Sequence, residues 1–242
     1  MINLALVGYG AMGKEIERLC PTEKIMISSI FDINAPLDKS QVYDFDTAIE
    51  FSTPTAVLDN IRTLAEMGKS IVCGTTGWYD KIDYVKEIVQ TNQVGFVYAS
   101  NFSIGMRLFF KIVESAAKNF NGFSEYDVML HELHHKRKID SPSGTAISLA
   151  EILLHNIDAK KEIVSDKIEG QISPNTLHVS STRGGEITGT HMVYFDSIAD
   201  TIELTHRAKN RSGLALGALQ AVELINGNKG FYEFGDLLFA DK

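Results

Sequence analysis

The residues best equipped for chemistry lie between positions 131 and 145, HELHHKRKIDSPSGT, the most cationic stretch in a chain of formal net charge -8. His134, His135, Lys136, Arg137 and Lys138 follow one another without a break, so this segment suits an anionic partner. Directly after them, Ser141-Pro142-Ser143-Gly144-Thr145 opens AISLAEILL, an apolar run with helical spacing that predicts a helix starting at or very near Ser143. A Ser cap leaves the next backbone N–H groups pointing outward, and with the helix dipole they attract a carboxylate or phosphate. One segment therefore offers imidazoles and ammonium groups for proton transfer and a helix start for holding the anion.

The same letters spell H-E-x-x-H at His131, Glu132 and His135, the signature of a zinc peptidase. Those ligands converge on one metal only from a helix. Residues 126–133 alternate in twos and predict a strand, on which an i to i+4 pair stands roughly 13 Å apart. Lys138 and Ser141 also stand where a longer zinc signature needs Gly and His. No metal site is expected here.

Stepping outward, 242 residues with 44% hydrophobic content are enough for two moderate domains. A pI near 5.4 speaks against a nucleic-acid partner, since the basic residues form one short cluster with no interleaved aromatics. Cys20 and Cys73 are the only cysteines and form no C-x-x-C pair, which fits two reduced thiols in a cytoplasmic protein. MINLALVG lacks a basic leader and reads as a buried strand, and no run is long enough to span a membrane.

Residues 2–7 form that strand. Gly8-Tyr9-Gly10-Ala11-Met12-Gly13 follows, then a helical stretch to Cys20, so G-x-G-x-x-G stands in its working context. Its first glycine permits the turn, the second a close backbone approach to a pyrophosphate, the third close packing of helix on strand. A second strand, 25–31, ends before Asp32, 24 residues after Gly8, where a carboxylate accepts from the adenosine ribose hydroxyls. No arginine follows Asp32, so NADH is favoured over NADPH, with NADPH admitted if Lys14 or Lys39 folds inward.

Strands at 47–52, 70–73 and 94–98 alternate with helices at 56–67 and 80–91, the pattern of a doubly wound parallel sheet of Rossmann type. Three loops fall at carboxyl ends of its strands and should face the cofactor: Phe51-Ser52-Thr53, Gly74-Thr75-Thr76-Gly77, and Ala99, Ser100, Asn101 and Phe102. After Phe102 the pattern changes to a helix at 105–120, the 126–133 strand and the Ser143 helix. A polar, loop-rich stretch (158–175) and alternating segments at 176–182, 187–195 and 201–208 follow. These predict a second α+β domain with a mostly antiparallel sheet. Arg183-Gly184-Gly185-Glu186 reads as a hairpin turn. The expected division is a dinucleotide-binding domain (1–102), a substrate-binding and oligomerisation domain (103–208), and a C-terminal segment (209–242) that returns to the first, with a cleft between the two.

The block from Glu132 through Ala146, the G-T-T-G and N-F-S loops, the run from Arg183 to His191 and the late Arg211 together resemble the 4-hydroxy-tetrahydrodipicolinate reductase (dihydrodipicolinate reductase) family over nearly the whole chain. The resemblance implies hydride transfer from NAD(P)H to a cyclic dicarboxylate imine in lysine and diaminopimelate biosynthesis. It implies His134 and Lys138 as proton-transfer residues, with His135, Gly144, Thr145 and Thr76 binding substrate carboxylates. It places the cofactor on the glycine turn, Asp32, Gly74, Thr75, Thr76 and the 99–102 loop, and implies a homotetramer formed through the second sheet. The glycine loop is one residue shorter than the G-x-x-G-R-M-G form of many members and lacks its arginine. A lysine among cations is expected to hold its proton less tightly, which would suit Lys138 to act near neutral pH. A zinc peptidase and a nucleotide-sensing binding protein are the other classes weighed; the second leaves HHKRK and SGT without a purpose.

Overall fold

The computed structural model describes residues 1–240; Asp241 and Lys242, the end of the expected returning segment, lie outside them. The first half runs β1 (Ile2–Val7), α1 (Ala11–Leu19), β2 (Ile25–Phe31), β3 (Thr47–Glu50), α2 (Val57–Glu66), β4 (Ser70–Cys73), α3 (Ile82–Asn92) and β5 (Gly95–Tyr98). Next come α4 (Ile104–Phe120), β6 (Asp127–His134), α5 (Gly144–Asn156), β7 (Glu162–Val164), β8 (Thr176–Arg183), β9 (Thr190–Asp196) and β10 (Thr201–Arg207). The chain ends with α6 (Ser212–Ile225), β11 (Gly230–Glu233) and α7 (Phe234–Leu238). Two compact units result, Met1–Ile104 with the stretch from Arg211 onward, and Gly105–Asn210.

In the first unit six parallel strands lie in the order β11-β5-β4-β3-β1-β2. Alternate strand residues serve opposite faces, as the two-residue period requires. Leu4, Leu6, Ile49, Val72 and Val97 pack with Ile16 of α1 and the apolar side of α6. Ala5, Val7, Ala48, Ile71 and Phe96 pack with Val57, Ile61 and Leu64 of α2 and Val85 and Val89 of α3. Each fully buried Val, Leu or Ile contributes about 1.5–3 kcal/mol, so the two faces together outweigh any single polar contact in holding the sheet. The chain moves from β1 outward to β2 and then crosses back to β3, so the strand order reverses between β1 and β3. Ligands of such sheets bind at that point.

The loops at the carboxyl ends are laid side by side by backbone bonds: Gly8 N–H donates to Phe31 (2.9 Å), Phe51 to Val7 (2.8 Å), Gly74 to Glu50 (2.9 Å) and Ala99 to Cys73 (3.4 Å). Gly8 has φ +97°, and a Cβ there would overlap the Phe51 carbonyl. A Cβ on Gly13 would meet the Gly8 oxygen at 2.5 Å, which accounts for the close seating of α1 on the turn.

The second unit holds a sheet in the order β10-β9-β6-β8-β7. β9 is antiparallel to β6 and β10, whereas β8 runs parallel to β6 and β7 parallel to β8. Segment 176–182 is thus a parallel strand and not an antiparallel one: alternation reports which face a residue takes, not which way its neighbour runs. The expected hairpin at Arg183 to Glu186 is also corrected, because β6 lies between β8 and β9 and this connection crosses over its end. β7 emerges from the polar 158–175 stretch, too short at EIV to show a period. Met106, Phe109, Val113 and Ala117 of α4 and Leu149 and Leu153 of α5 cover the inner face against Val128, Leu130, Leu177, Val179, Val193 and Phe195. No helix among the described residues is long and apolar enough to cross a membrane.

Candidate active site

The cationic segment begins on a strand. Along β6, Val128, Leu130, Glu132 and His134 are buried while Met129 is exposed and His131 and Leu133 are half-buried. His131 and Glu132 therefore project to opposite faces, and the helix that H-E-x-x-H requires is absent. His131 instead meets Ser180 Oγ at 2.6 Å. Register then assembles the site, since Glu132 stands abreast of His191 on β9 and of Ser181 on β8. Directly opposed residues share a face of the sheet.

Glu132 is fully buried. Its Oε1 accepts from Ser143 N–H (2.9 Å), Ser181 Oγ (2.9 Å) and Arg183 Nη2 (2.6 Å), and its Oε2 accepts from Ser143 Oγ (2.5 Å). His134 Nδ1 lies 3.0 Å from the same Oε2, within ion-pair range though bent away from good hydrogen-bond alignment. Burial alone would raise the Glu132 carboxyl, but the facing His134 imidazole and the bonds from Ser143 and Arg183 outweigh it and hold the group well below the usual carboxylate range. Glu132, His134 and His191 bring ligand atoms within 4.8 Å of one another, a spacing a cation can bridge. Arg183 already matches the carboxylate's charge, so we read the cluster as a hydrogen-bonded network.

Ser143 is the N-cap of α5, its Oγ accepting from Ala146 N–H at 3.1 Å, as the apolar spacing predicts. Gly144 and Thr145 form the first turn, which contains no acidic residue. Between strand and helix, the cationic loop is tied to the 184–187 connection. His135 N–H donates to Ile187 (2.7 Å), Gly184 N–H to His134 (3.0 Å), and Arg137 grips Glu186 with both terminal nitrogens (2.8 and 2.6 Å). Lys138 is not ringed by cations alone: its Nζ lies 2.8 Å from Asp140 Oδ1, with 23% of the side chain exposed. Burial opposes ionisation of Asp140, but the bond and charge of Lys138 prevail and lower its carboxyl.

His191 carries a consequence for stability. Burial, then the positive field of His134, pushes it down to about 4. The folded protein refuses a proton that the unfolded chain accepts below about pH 6.5, so stability rises with pH between those two values and falls on acidification. Stability should drop by roughly 3 kcal/mol from pH 7 to pH 4 through this group. His206, lowered by burial, adds in the same direction. Glu132 acts in a lower window, where stability is lost as pH falls through its depressed value. Urea midpoints at pH 7 and pH 4.5 should differ widely in the parent and much less in His191→Gln; an unchanged difference would refute the assignment.

In the first unit a cavity of about 670 Å³ sits at the reversal of strand order, lined by Gly8, Tyr9, Gly10, Asp32, Phe51 and Ser52 among others. A Cβ on Gly10 would meet nothing, so the turn is open there, and α1 has neither a side-chain cap nor an acidic residue in its first turn, Ala11, Met12 and Gly13. These features fit a dinucleotide pyrophosphate. Asp32 Oδ1 accepts from the N–H groups of Asn34 (2.8 Å) and Ala35 (3.0 Å), which shapes the turn. Lys39 pairs with Glu66 at 3.0 Å and Lys14 lies 5.8 Å from the Tyr9 ring centre; neither lines the cavity.

Gly74 packs against the Phe51 ring, Thr75 is buried with its carbonyl bonded to Trp78 Nε1 (2.8 Å), and Thr76 is exposed. Ala99 and Phe102 are buried in the core, while between them Ser100 is exposed and Asn101 half-buried. Of the candidate carboxylate-binding residues Thr76 belongs to the first unit and His135, Gly144 and Thr145 to the second. Sequence reasoning missed Glu132, Ser181, Arg183 and His191 as a cluster; the i, i+2 pair Glu132 and His134 on a strand was the available signal. It also missed Glu50, a fully buried acid that accepts from Ser52 and from Asn60 (3.2 Å) and shapes the cavity wall. Both cysteines are free; burial, then Glu50, pushes the Cys73 thiol well up, so it stays protonated.

A glycine turn at the reversal point of a parallel sheet, joined in one chain to buried acid–base groups beside a helix start suited to carboxylates, defines a dinucleotide-dependent reductase. Residues 2–102 match the family described as dihydrodipicolinate reductase, N-terminus, and residues 105–238 match dihydrodipicolinate reductase, C-terminus. The chain belongs to the dihydrodipicolinate reductase family. It is 37% identical over 239 residues to the 4-hydroxy-tetrahydrodipicolinate reductase of Christiangramia forsetii, covering 98% of each chain. It is 36% identical over 252 residues to that of Archaeoglobus fulgidus, covering 95% of this chain and 96% of the relative. In fold it resembles a dipicolinate-bound dihydrodipicolinate reductase from Paenisporosarcina sp. TG-14, with TM-score 0.78 and 22% identity over 96% of this chain and 97% of that one.

Proposed function

We propose that the protein reduces 4-hydroxy-tetrahydrodipicolinate to tetrahydrodipicolinate, the activity named for its relatives. The observation that carries the reading is that His134 and the capped start of α5 flank one buried carboxylate, with Lys138 on the loop that joins them. When bound, the reduced nicotinamide supplies a hydride. The amides of Gly144 and Thr145, with His135, hold the carboxylates of the cyclic imine. Lys138 Nζ and the His134 imidazole hold the proton that the ring must gain, and Asp140 keeps the lysine in place. Mixing the purified protein with a reduced cofactor and freshly made product of dihydrodipicolinate synthase should extinguish the reduced-nicotinamide absorbance. No oxidation with either cofactor would overturn the substrate assignment.

NADH is the favoured cofactor. Among the described residues no lysine or arginine lines the cavity beside Asp32, so a 2'-phosphate would meet a carboxylate with no cation from that lining to offset it. Like-charge contact costs several kcal/mol at an interface, so kcat/KM for NADH should exceed that for NADPH by about tenfold or more. Asp32→Ala should narrow this ratio; an unaltered ratio would show that Asp32 does not set it. Assembly as a homotetramer through the outer face of the second sheet, where Met129 and Tyr194 stand abreast, completes the reading. Light scattering on the eluting protein tests it.

A further inference from the structure

We propose that Glu132 is a positioning residue that holds the proton-transfer and carboxylate-binding halves of the substrate site in one piece. This rests on the reductase reading above. Its two oxygens tie together three elements, β6, the start of α5 and β8. On its own strand it faces His134 Nδ1 at 3.0 Å; across the loop it takes both the backbone N–H (2.9 Å) and the hydroxyl (2.5 Å) of Ser143. Ser143 in turn caps α5 through Ala146 N–H at 3.1 Å and so sets where the Gly144 and Thr145 amides stand. Arg183 Nη2 locks the carboxylate from β8 at 2.6 Å and donates onward at 2.7 Å to the backbone carbonyl of Asp140, whose own carboxylate is the partner of Lys138.

Packing does not require this charge. Leu149 and Leu153 seat α5 on the sheet, and a serine caps a helix without help from a carboxylate. A wholly buried charge is a poor source of stability compared with apolar side chains of similar volume, whereas it fixes geometry well when every lone pair is engaged. In Glu132→Gln one acceptor oxygen becomes an NH2 donor aimed at groups that are themselves donors. Ser143 or Arg183 then loses its partner and His134 loses the facing charge. Displacements near 1 Å at a reacting centre cost about 10²-fold.

The test measures kcat, KM for the imine, and calorimetric affinity for dipicolinate, a planar dicarboxylate used as the probe, in the parent, Glu132→Gln, Ser143→Ala and His134→Ala, with circular dichroism as the folding control. Glu132→Gln should lose on the order of 10²-fold in kcat and also bind dipicolinate about tenfold more weakly, while His134→Ala loses kcat and keeps its dipicolinate affinity within about threefold. Should Glu132→Gln not fold, Ser143→Ala decides: dipicolinate affinity reduced about tenfold supports the proposal, and parent-like affinity and kcat overturn it. A folded Glu132→Gln with parent values for both quantities overturns the proposal alone. A parent that neither reduces the imine nor binds dipicolinate overturns the reductase reading and this assignment with it.

Discussion

Lys138→Ala, assayed at saturating cofactor, should lose on the order of 10²–10⁴-fold in kcat, and His134→Ala a comparable factor. The two side chains are held differently. His134 is nearly buried at the end of β6 against Glu132, so its position is fixed by the sheet. Lys138 stands on the loop, partly exposed and tethered by Asp140, so its ammonium stays close to solvent. If they pass one proton between them, the double variant should lose little more than the worse single one, because residues acting as a unit are not additive. Lys138→Arg separates charge from proton. A guanidinium keeps the positive charge but does not release a proton near neutral pH. KM for the imine should stay near the parent value while kcat remains low. Parent-like kcat in Lys138→Arg would reduce Lys138 to an electrostatic role, and parent-like kcat in Lys138→Ala would remove it from the chemistry.

How far the sequence discloses this site follows from what each pattern encodes. Glycine spacing, flanking apolar runs and a terminal acid locate the turn between β1 and α1, because they are local demands of one strand, turn and helix. The serine cap of α5 is local in the same way. Period-two alternation at 126–133 is enough to reject the zinc reading, since on a strand the motif's two histidines, at i and i+4, stand roughly 13 Å apart. Neighbourhood across the sheet is another matter. That Glu132 lies abreast of His191 and Ser181 depends on register between segments some 50 residues apart, and no local period records it. For that reason Arg183 looked like part of a hairpin turn when it is the counterion of a buried acid, and β8 looked antiparallel. β11, which extends the first sheet beside β5, is likewise a matter of distant pairing.

The last helix gives a case where local propensity and tertiary packing predict opposite signs. Gly217 lies inside α6, where replacing glycine by alanine favours the helix by about 1 kcal/mol on propensity alone. In the folded protein a Cβ at this position would overlap the Phe102 carbonyl oxygen. Phe102 cannot easily yield, since its ring is buried against Phe51 and Phe234 with centroids at 6.2 and 4.9 Å. Overpacking of this kind typically costs 1–3 kcal/mol and occasionally more, and backbone is the less compliant partner. Gly217→Ala should therefore be destabilised by roughly 2 kcal/mol net, with a lower urea midpoint at unchanged slope. The strain falls on the loop that carries Ser100 and Asn101, so on the cofactor assignment proposed for that loop the variant should also bind the reduced nicotinamide cofactor more weakly while still folded. Gly122→Ala, in the turn after α4 where a Cβ meets nothing within 4 Å, is a control for open space and should shift the midpoint little. A raised midpoint in Gly217→Ala would mean that helix propensity prevails and that α6 does not need this close approach to the 99–102 loop.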